Sequence, residues 1–228
     1  MSLGTAILNL LFPPKCPFCH VVLEDPEAGL CPDCQVSLPW LTGQAAERKI
    51  EFADGCYSPL AYRDRVREGV HHLKFHRCRA STAPFGMLMA QCARDHLTEK
   101  ADAVTWTPLS RKRLRQRGFD QAELLARAVG KELGLPVVPT LEKFRNTQPQ
   151  SSLTEAAQRR ANARGAYRLR PGAQVSGQRL LLVDDVVTSG ATLDECAYLL
   201  KQAGAQRVWC LTLAQAGHKG KNQEQRKN

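Results

Sequence analysis

The chain has 228 residues, room for one sizeable α/β domain and a small satellite but not for two full domains. Hydrophobic residues make up 43% and charged residues 24%, the balance of a globular protein rather than a disordered or fibrous one. The formal net charge of +10 favours anionic partners such as phosphates or nucleic acid, and no apolar run approaches the roughly 20 residues of a membrane helix, which argues against membrane insertion.

The N-terminal MSLGTAILNLLF is short and apolar, without the basic start or small-residue cleavage site of a secretory signal. Cys56, Cys78, Cys92, Cys196 and Cys210 stand singly in helix- or strand-like segments and read as buried thiols, so a reducing cytoplasm is expected. Charge is uneven. The first 55 residues carry three basic and seven acidic side chains, and the excess of cations lies beyond them. The polar stretch LTGQAAERKIEFADG reads as a connector, which places a domain boundary near residue 50.

Residues 1–50 hold Cys16-x-x-Cys19 and, after eleven intervening residues, Cys31-x-x-Cys34. Two such knuckles can aim four thiolates at one tetrahedral Zn²⁺, a structural site with no ligand position left open. A segment this short, with few large apolar side chains, needs that metal to fold. Cys16-Pro17-Phe18-Cys19-His20 also matches a haem-attachment string, but that chemistry wants an exported protein and leaves the second pair idle. Disulfides and a thioredoxin-like redox pair compete less well, His20 is an alternative ligand, and spacing alone does not separate zinc from iron.

Beyond the boundary, GCYSPLAY predicts a strand. Val66, Val70 and Leu73, at i, i+4 and i+7, predict a helix through DRVREGVHHLKFH, and a second helix is expected from about Pro84 to His96. AVTWTP reads as a strand, and Asp120 caps a helix bearing Leu124, Leu125, Ala128, Val129 and Leu133 that ends at Gly134. The short apolar run LPVV follows. After a basic segment at 143–170, RLLLVD is a continuous apolar strand. Leu193, Cys196, Leu200 and Ala203 mark a helix stopped by Gly204, and RVWCLTLA is a final strand. The alternation predicts an α/β fold, a mostly parallel sheet with helices on both faces, over residues 51–217. The tail 218–228 is basic and expected to be disordered.

The most informative string is LLLVDDVVTSGAT, residues 180–192. Four aliphatics predict a buried parallel strand, and Asp184 and Asp185 arrive where it leaves the sheet, the edge at which α/β folds bind ligands. Thr188, Ser189, Gly190, Ala191 and Thr192 then form a short loop into a helix, with hydroxyls and backbone N–H groups suited to a phosphate. Carboxylates beside a phosphate site need hydroxyls or a metal to engage, and a ribose 5-phosphate has a diol at about that distance. A solvated pair of acids capping the next helix is the plainer alternative.

This string resembles the signature of the type I phosphoribosyltransferases. The resemblance implies that Asp184 and Asp185 hold the ribose hydroxyls of phosphoribosyl pyrophosphate (PRPP), with Mg²⁺, while Thr188 through Thr192 hold its 5-phosphate. Five of the seven residues from Arg111 to Arg117 are cationic; they are expected to sit in a loop feeding a helix, or to be a solvated charge run. By the same resemblance Leu109, Ser110, Arg111, Lys112 and Arg113 are pyrophosphate-loop candidates. RGFDQAELLAR, with Arg117, Gly118, Phe119, Asp120 and Gln121, and the four-cysteine module ahead of it, are similar to the ComF/GntX family, in which this string usually reads RGFNQ. Asp120 is the departure. Gln150, Leu153, Arg159, Arg160 and Asn162 match further strings of that family, in a stretch expected to close as a mobile lid over pyrophosphate.

The resemblance implies displacement of pyrophosphate at the anomeric carbon, with cations stabilising the leaving group and carboxylates the sugar. It also implies a role in DNA uptake or competence beside a DNA-translocating helicase. A non-catalytic reading is kept beside it: a PRPP-sensing or single-stranded-DNA-binding accessory protein, whose stacking candidates are Phe119, Phe144 and Tyr167.

Overall fold

The fully buried aliphatics Leu180, Leu181, Leu182 and Val183 form the middle of the sheet in a computed structural model that describes residues 13–25, 27–75, 81–145 and 163–217. They belong to β6 (Arg179–Val187), which pairs in parallel with β7 (Arg207–Gln215) on one side and with β3 (Ala103–Trp106) on the other. The outer edge of β7 is covered by two short parallel strands, β1 (Gly55–Tyr57) and β2 (Leu60–Ala61), so GCYSPLAY is a broken strand rather than a continuous one. Beyond β3 the LPVV run adds a parallel bridge from Val137 to Val104.

A strand buried on both faces needs helices on both, and they are present. Leu181 and Val183 face one layer, with Val66, Val70 and Leu73 of α2 (Asp64–Phe75), Phe85 and Met89 of α3 (Thr82–His96) and Leu125 and Val129 of α5 (Gln121–Leu133). Leu180 and Leu182 face the other, with Leu193, Cys196 and Leu200 of α6 (Ala191–Gln202) and Leu141 and Tyr167 of an antiparallel ribbon. That ribbon is β4 (Leu141–Lys143) with β5 (Tyr167–Leu169). The expected α/β architecture is therefore observed. Among the described residues the remaining helices are α1 (Pro32–Ser37), α4 (Arg111–Arg117) and a short 3-10 turn at Gly43–Ala46.

Two expectations change. The basic run at 111–117 is a helix, not a loop: Arg, Lys, Leu and Gln are good helix formers, and Gly118 terminates it in the left-handed region at φ 78°. The strand RLLLVD extends through Val187, with Asp184 opposite Thr212 and Val186 opposite Ala214, so the two acids lie inside the second half of β6. Gln150, Arg159, Arg160 and the tail 218–228 lie outside the described residues.

The connector is docked rather than loose. Arg48 donates to the Ala216 carbonyl at 2.6 Å, the Phe52 N–H donates to Asp194 at 3.2 Å, and the Phe52 ring meets Tyr198 edge-on at 4.9 Å. On the opposite layer α3 and α5 cross closely at Gly86, where a Cβ would lie 2.4 Å from that of Ala128. Gly86→Ala gains about 1 kcal/mol of helix propensity but incurs an overpacking cost of about 1–3 kcal/mol, so it is expected to lower the thermal midpoint. A midpoint at or above that of the unsubstituted protein would show that the two helices are free to separate.

Candidate functional site

The two cysteine knuckles are built by different local structures. Cys16 and Cys19 flank a tight turn in which the His20 N–H donates to Cys16 O at 2.9 Å and the Cys16 N–H to Val21 O at 2.8 Å. Cys31 is the N-cap of α1, with Pro32 at its first position, and Cys34 lies one turn later. All four Sγ atoms fall within 4.8 Å of one another, and those of Cys19 and Cys31 are 3.5 Å apart. Tetrahedral zinc with bonds of about 2.3 Å spaces sulfurs by roughly 3.8 Å, so the donor set fits a structural zinc. Burial pushes the Cys16 thiol up, but the N–H groups of Cys31, Cys19 and Phe18 outweigh it and bring the pKa down to about 7, whereas burial raises the thiols of Cys19 and Cys34, which a bound metal would have to deprotonate. His20 is not in the cluster; its ring packs on His72 at 4.1 Å.

This module is continuous with the main core. Phe18 is fully buried against Phe85, ring centroids 5.2 Å apart, and Arg65 of α2 reaches Cys34 Sγ at 3.6 Å. Metal removal is therefore expected to lower the thermal midpoint of the whole chain and to expose residues 13–45 first to protease. An unchanged melt after complete chelation would show that the four cysteines do not hold the fold.

Asp184 and Asp185 occupy opposite faces of β6. Asp185 is buried, 5% exposed, and its Oδ2 lies 3.0 Å from Nζ of Lys74, the penultimate residue of α2. Burial opposes charge on Lys74, but the Asp185 carboxylate outweighs it and holds the ammonium above its usual pKa. Asp184 accepts from the Asp185 N–H at 2.8 Å and from the Thr107 hydroxyl. Burial, and then the Asp185 charge, raise its pKa to about 7. Directly ahead, the chain leaves the sheet through Thr188 and Ser189 and enters α6 at Ala191; Gly190 makes the turn at φ 81°, where a Cβ would meet Ile50 at 2.5 Å. Ser189 Oγ accepts from the Ala191 N–H at 3.4 Å. Thr188, Ser189 and Thr192 are partly exposed.

The cationic segment divides. Arg113 turns inward, its pKa lowered by burial and then by Arg117, toward a buried pair that sequence reasoning missed. That pair is Lys143, whose Nζ donates to Tyr167 Oη at 3.1 Å. Burial, then Arg113, bring Lys143 down to about 8, and Tyr167 hydrogen-bonds Thr192 of the loop. Arg113, Lys143, Tyr167, Thr192 and Asp184 thus converge on one side of the sheet. Arg111 and Lys112 instead line a cavity of about 300 Å³ with Arg115, Glu142, Lys143, Phe144 and Arg168. Neither Lys74 nor Lys143 lies in a motif; a lone cation at the end of an apolar helical stripe or a short ribbon gives no signal of its own.

Leu109 and Ser110 precede α4, and the Leu109 N–H is already engaged, donating to Asp120 Oδ2 at 2.8 Å. Asp120 Oδ1 accepts from the Ala122 and Glu123 N–H groups, the N-cap expected of it. Burial raises this carboxyl from 3.8 to about 6, so the folded chain holds its proton more tightly than the unfolded one. The resulting stabilisation is full below about pH 4 and is lost as pH rises through 6. Asp120→Asn removes this titration, so its thermal midpoint relative to the unsubstituted protein is expected to rise between pH 4.5 and 7.5. A constant difference across that range would contradict the assignment.

Two segments of the chain match known protein families. The family described as Phosphoribosyl transferase domain matches residues 115–227, and the Double zinc ribbon domain matches residues 7–48. A DNA utilization protein YhgH from Salmonella typhimurium is 36% identical over 149 residues, 62% of this chain and 64% of that one. Competence protein F from Haemophilus influenzae is 33% identical over 54% of each chain. The chain therefore spans under two thirds of the length of these curated relatives. A solved structure titled as the allosteric regulatory enzyme of purine biosynthesis aligns with 59% of this chain and 26% of its own at 24% identity and a TM-score of 0.41, a likeness too loose to carry anything further.

Proposed function

We propose that this chain, in which a double zinc ribbon match precedes a phosphoribosyl transferase match, belongs with the ComF/GntX family, binds phosphoribosyl pyrophosphate with Mg²⁺ and transfers the phosphoribosyl group to an acceptor. The observation that carries the reading is the placement of two carboxylates, Asp185 buried and Asp184 partly exposed, near the end of the central strand, two residues ahead of a loop that turns at Gly190 into a helix. Burying acids there costs free energy, and adjacent carboxylates near a strand end are a candidate for a functional site. In this reading Asp184 and Asp185 accept from the ribose 2- and 3-hydroxyls and the 188–192 loop receives the 5-phosphate. Arg113 and Lys143 present positive charge on the side where the diphosphate leaves. Magnesium, held by the acid pair and the ligand's own oxygens, would supply further charge neutralisation. Carboxylates near the anomeric carbon favour the positive charge that grows on the sugar as the C–O bond to pyrophosphate breaks. The printed names of the relatives, a DNA utilization protein and a competence protein, support a role in DNA uptake or use, and the family resemblance suggests a DNA-translocating helicase as partner.

One observation favours a second reading, that of a single-stranded-DNA-binding accessory protein. Phe144 is 47% exposed beside the cationic cavity, with the Arg168 guanidinium 5.2 Å from its ring centroid. Of the three stacking candidates, Phe119 and Tyr167 are buried and unsuited to the task.

Titration calorimetry with PRPP and MgCl₂, paired with pyrophosphate release in the presence of nucleobase or nucleic-acid acceptors, tests the primary reading. Binding and turnover are both expected, and both are lost in Asp185→Asn. Because the ionised form of Asp184 accepts the sugar hydroxyl and its pKa is about 7, affinity should rise about tenfold from pH 6 to pH 8. The rise should be smaller in Asp184→Asn. Binding without turnover would favour the sensing role; no binding would remove both.

A further inference from the structure

Helix α2 touches three things at once. Arg65, Gly69 and His72, at i, i+4 and i+7, form one stripe, and that stripe meets the cysteine module. Arg65 Nη1 is 3.6 Å from Cys34 Sγ, a Cβ on Gly69 would lie 2.9 Å from the Pro17 carbonyl, and the His72 ring is 4.1 Å from that of His20. The adjacent stripe, Val66, Val70 and Leu73, is fully buried in the sheet-facing core. On the far flank, about 180° round the helix from Arg65 at 100° per residue, Lys74 reaches Asp185 at 3.0 Å. The helix is short and stiff, and its three contacts leave it little freedom to shift.

From this we propose that Lys74 is a positioning residue that holds Asp185 for the ribose hydroxyls, and that the cysteine module, by gripping the opposite flank of α2, holds Lys74 in place. The inference rests on the sugar-phosphate reading of the acid pair. A buried carboxylate next to a second one is costly when unpaired and tends to turn away or take up a proton. Lys74 supplies a fixed counter-charge before any ligand arrives and holds the Asp185 carboxylate in place. The same pairing reduces the repulsion a diphosphate would feel on approach. The zinc module, remote in sequence, thereby acquires a part in ligand binding without touching the ligand.

The test is a set of PRPP·Mg²⁺ titrations on the full zinc-loaded chain, with folding checked by circular dichroism. Lys74→Met is expected to weaken binding about tenfold or more, and Lys74→Arg to retain most of it. If Lys74→Met is poorly folded, Lys74→Met/Asp185→Asn, which buries no unpaired charge, should regain the fold and not the affinity. Gly69→Val, which pushes the module off the helix, should weaken binding in the Lys74 background and add little to Lys74→Met, since both cut the same link. Unchanged binding in Lys74→Met overturns the positioning role, and additive losses overturn the link. Should the unsubstituted protein bind no PRPP, the sugar-phosphate reading has failed. Amide exchange then decides the link alone: Gly69→Val should speed exchange at Val183–Val187 in the Lys74 background and not further in Lys74→Met, and equal rates in all variants would overturn it.

Discussion

The structure turns on two neighbouring carboxylates, one buried and one partly exposed, near the end of an otherwise apolar strand. Leu180 to Val183 require helices on both faces, and those same layers bury Asp185 and leave Asp184 only partly exposed. An acid pair in that setting is stable only with dedicated partners. The partners come from elements far apart in sequence: Lys74 from α2, the Thr107 hydroxyl from the segment after β3, and the Asp185 N–H itself. Arranging them ties the ends of α2 and β3 to the acid pair of β6.

The zinc module follows the same logic by other means. It has too little apolar surface for a core of its own, so metal ligation closes its two knuckles while Phe18, Leu23, Leu30 and Leu38 join the core of the larger domain. The connector also takes part, since Ile50 packs on the Gly190 turn and Phe52 on α6. Module, connector and loop are thus parts of one packed unit, and a change in the module has a physical route to the acid pair through α2.

Much of this was legible in the sequence because it lies in local patterns. The paired knuckles, the aliphatic run ending in two acids, the Gly190 turn and the Asp120 cap each declare themselves within about a dozen residues. What was illegible depends on the third dimension. The 111–117 run reads as a loop because charge density suggests a ligand-binding turn, yet its residues are strong helix formers and Gly118 closes them. The alternation from Leu180 gave no sign that pairing to β7 carries the strand past the acids to Val187. Lys74 and Lys143 are single cations without motif, and only the packing of α2 and the β4–β5 ribbon brings them to the acids. Asp120 looked like a simple exchange for Asn, and its second oxygen turns out to engage the Leu109 N–H.

The central claim is that the acids read a vicinal diol while the loop holds the phosphate beside it. Ribose 5-phosphate and 2-deoxyribose 5-phosphate differ in one of those hydroxyls and share the phosphate, so their competition at equilibrium isolates the acids' part. Ribose 5-phosphate is expected to bind about tenfold or more tightly, since loss of one hydroxyl leaves a buried carboxylate unsatisfied. Equal affinity for the two sugars would contradict the account.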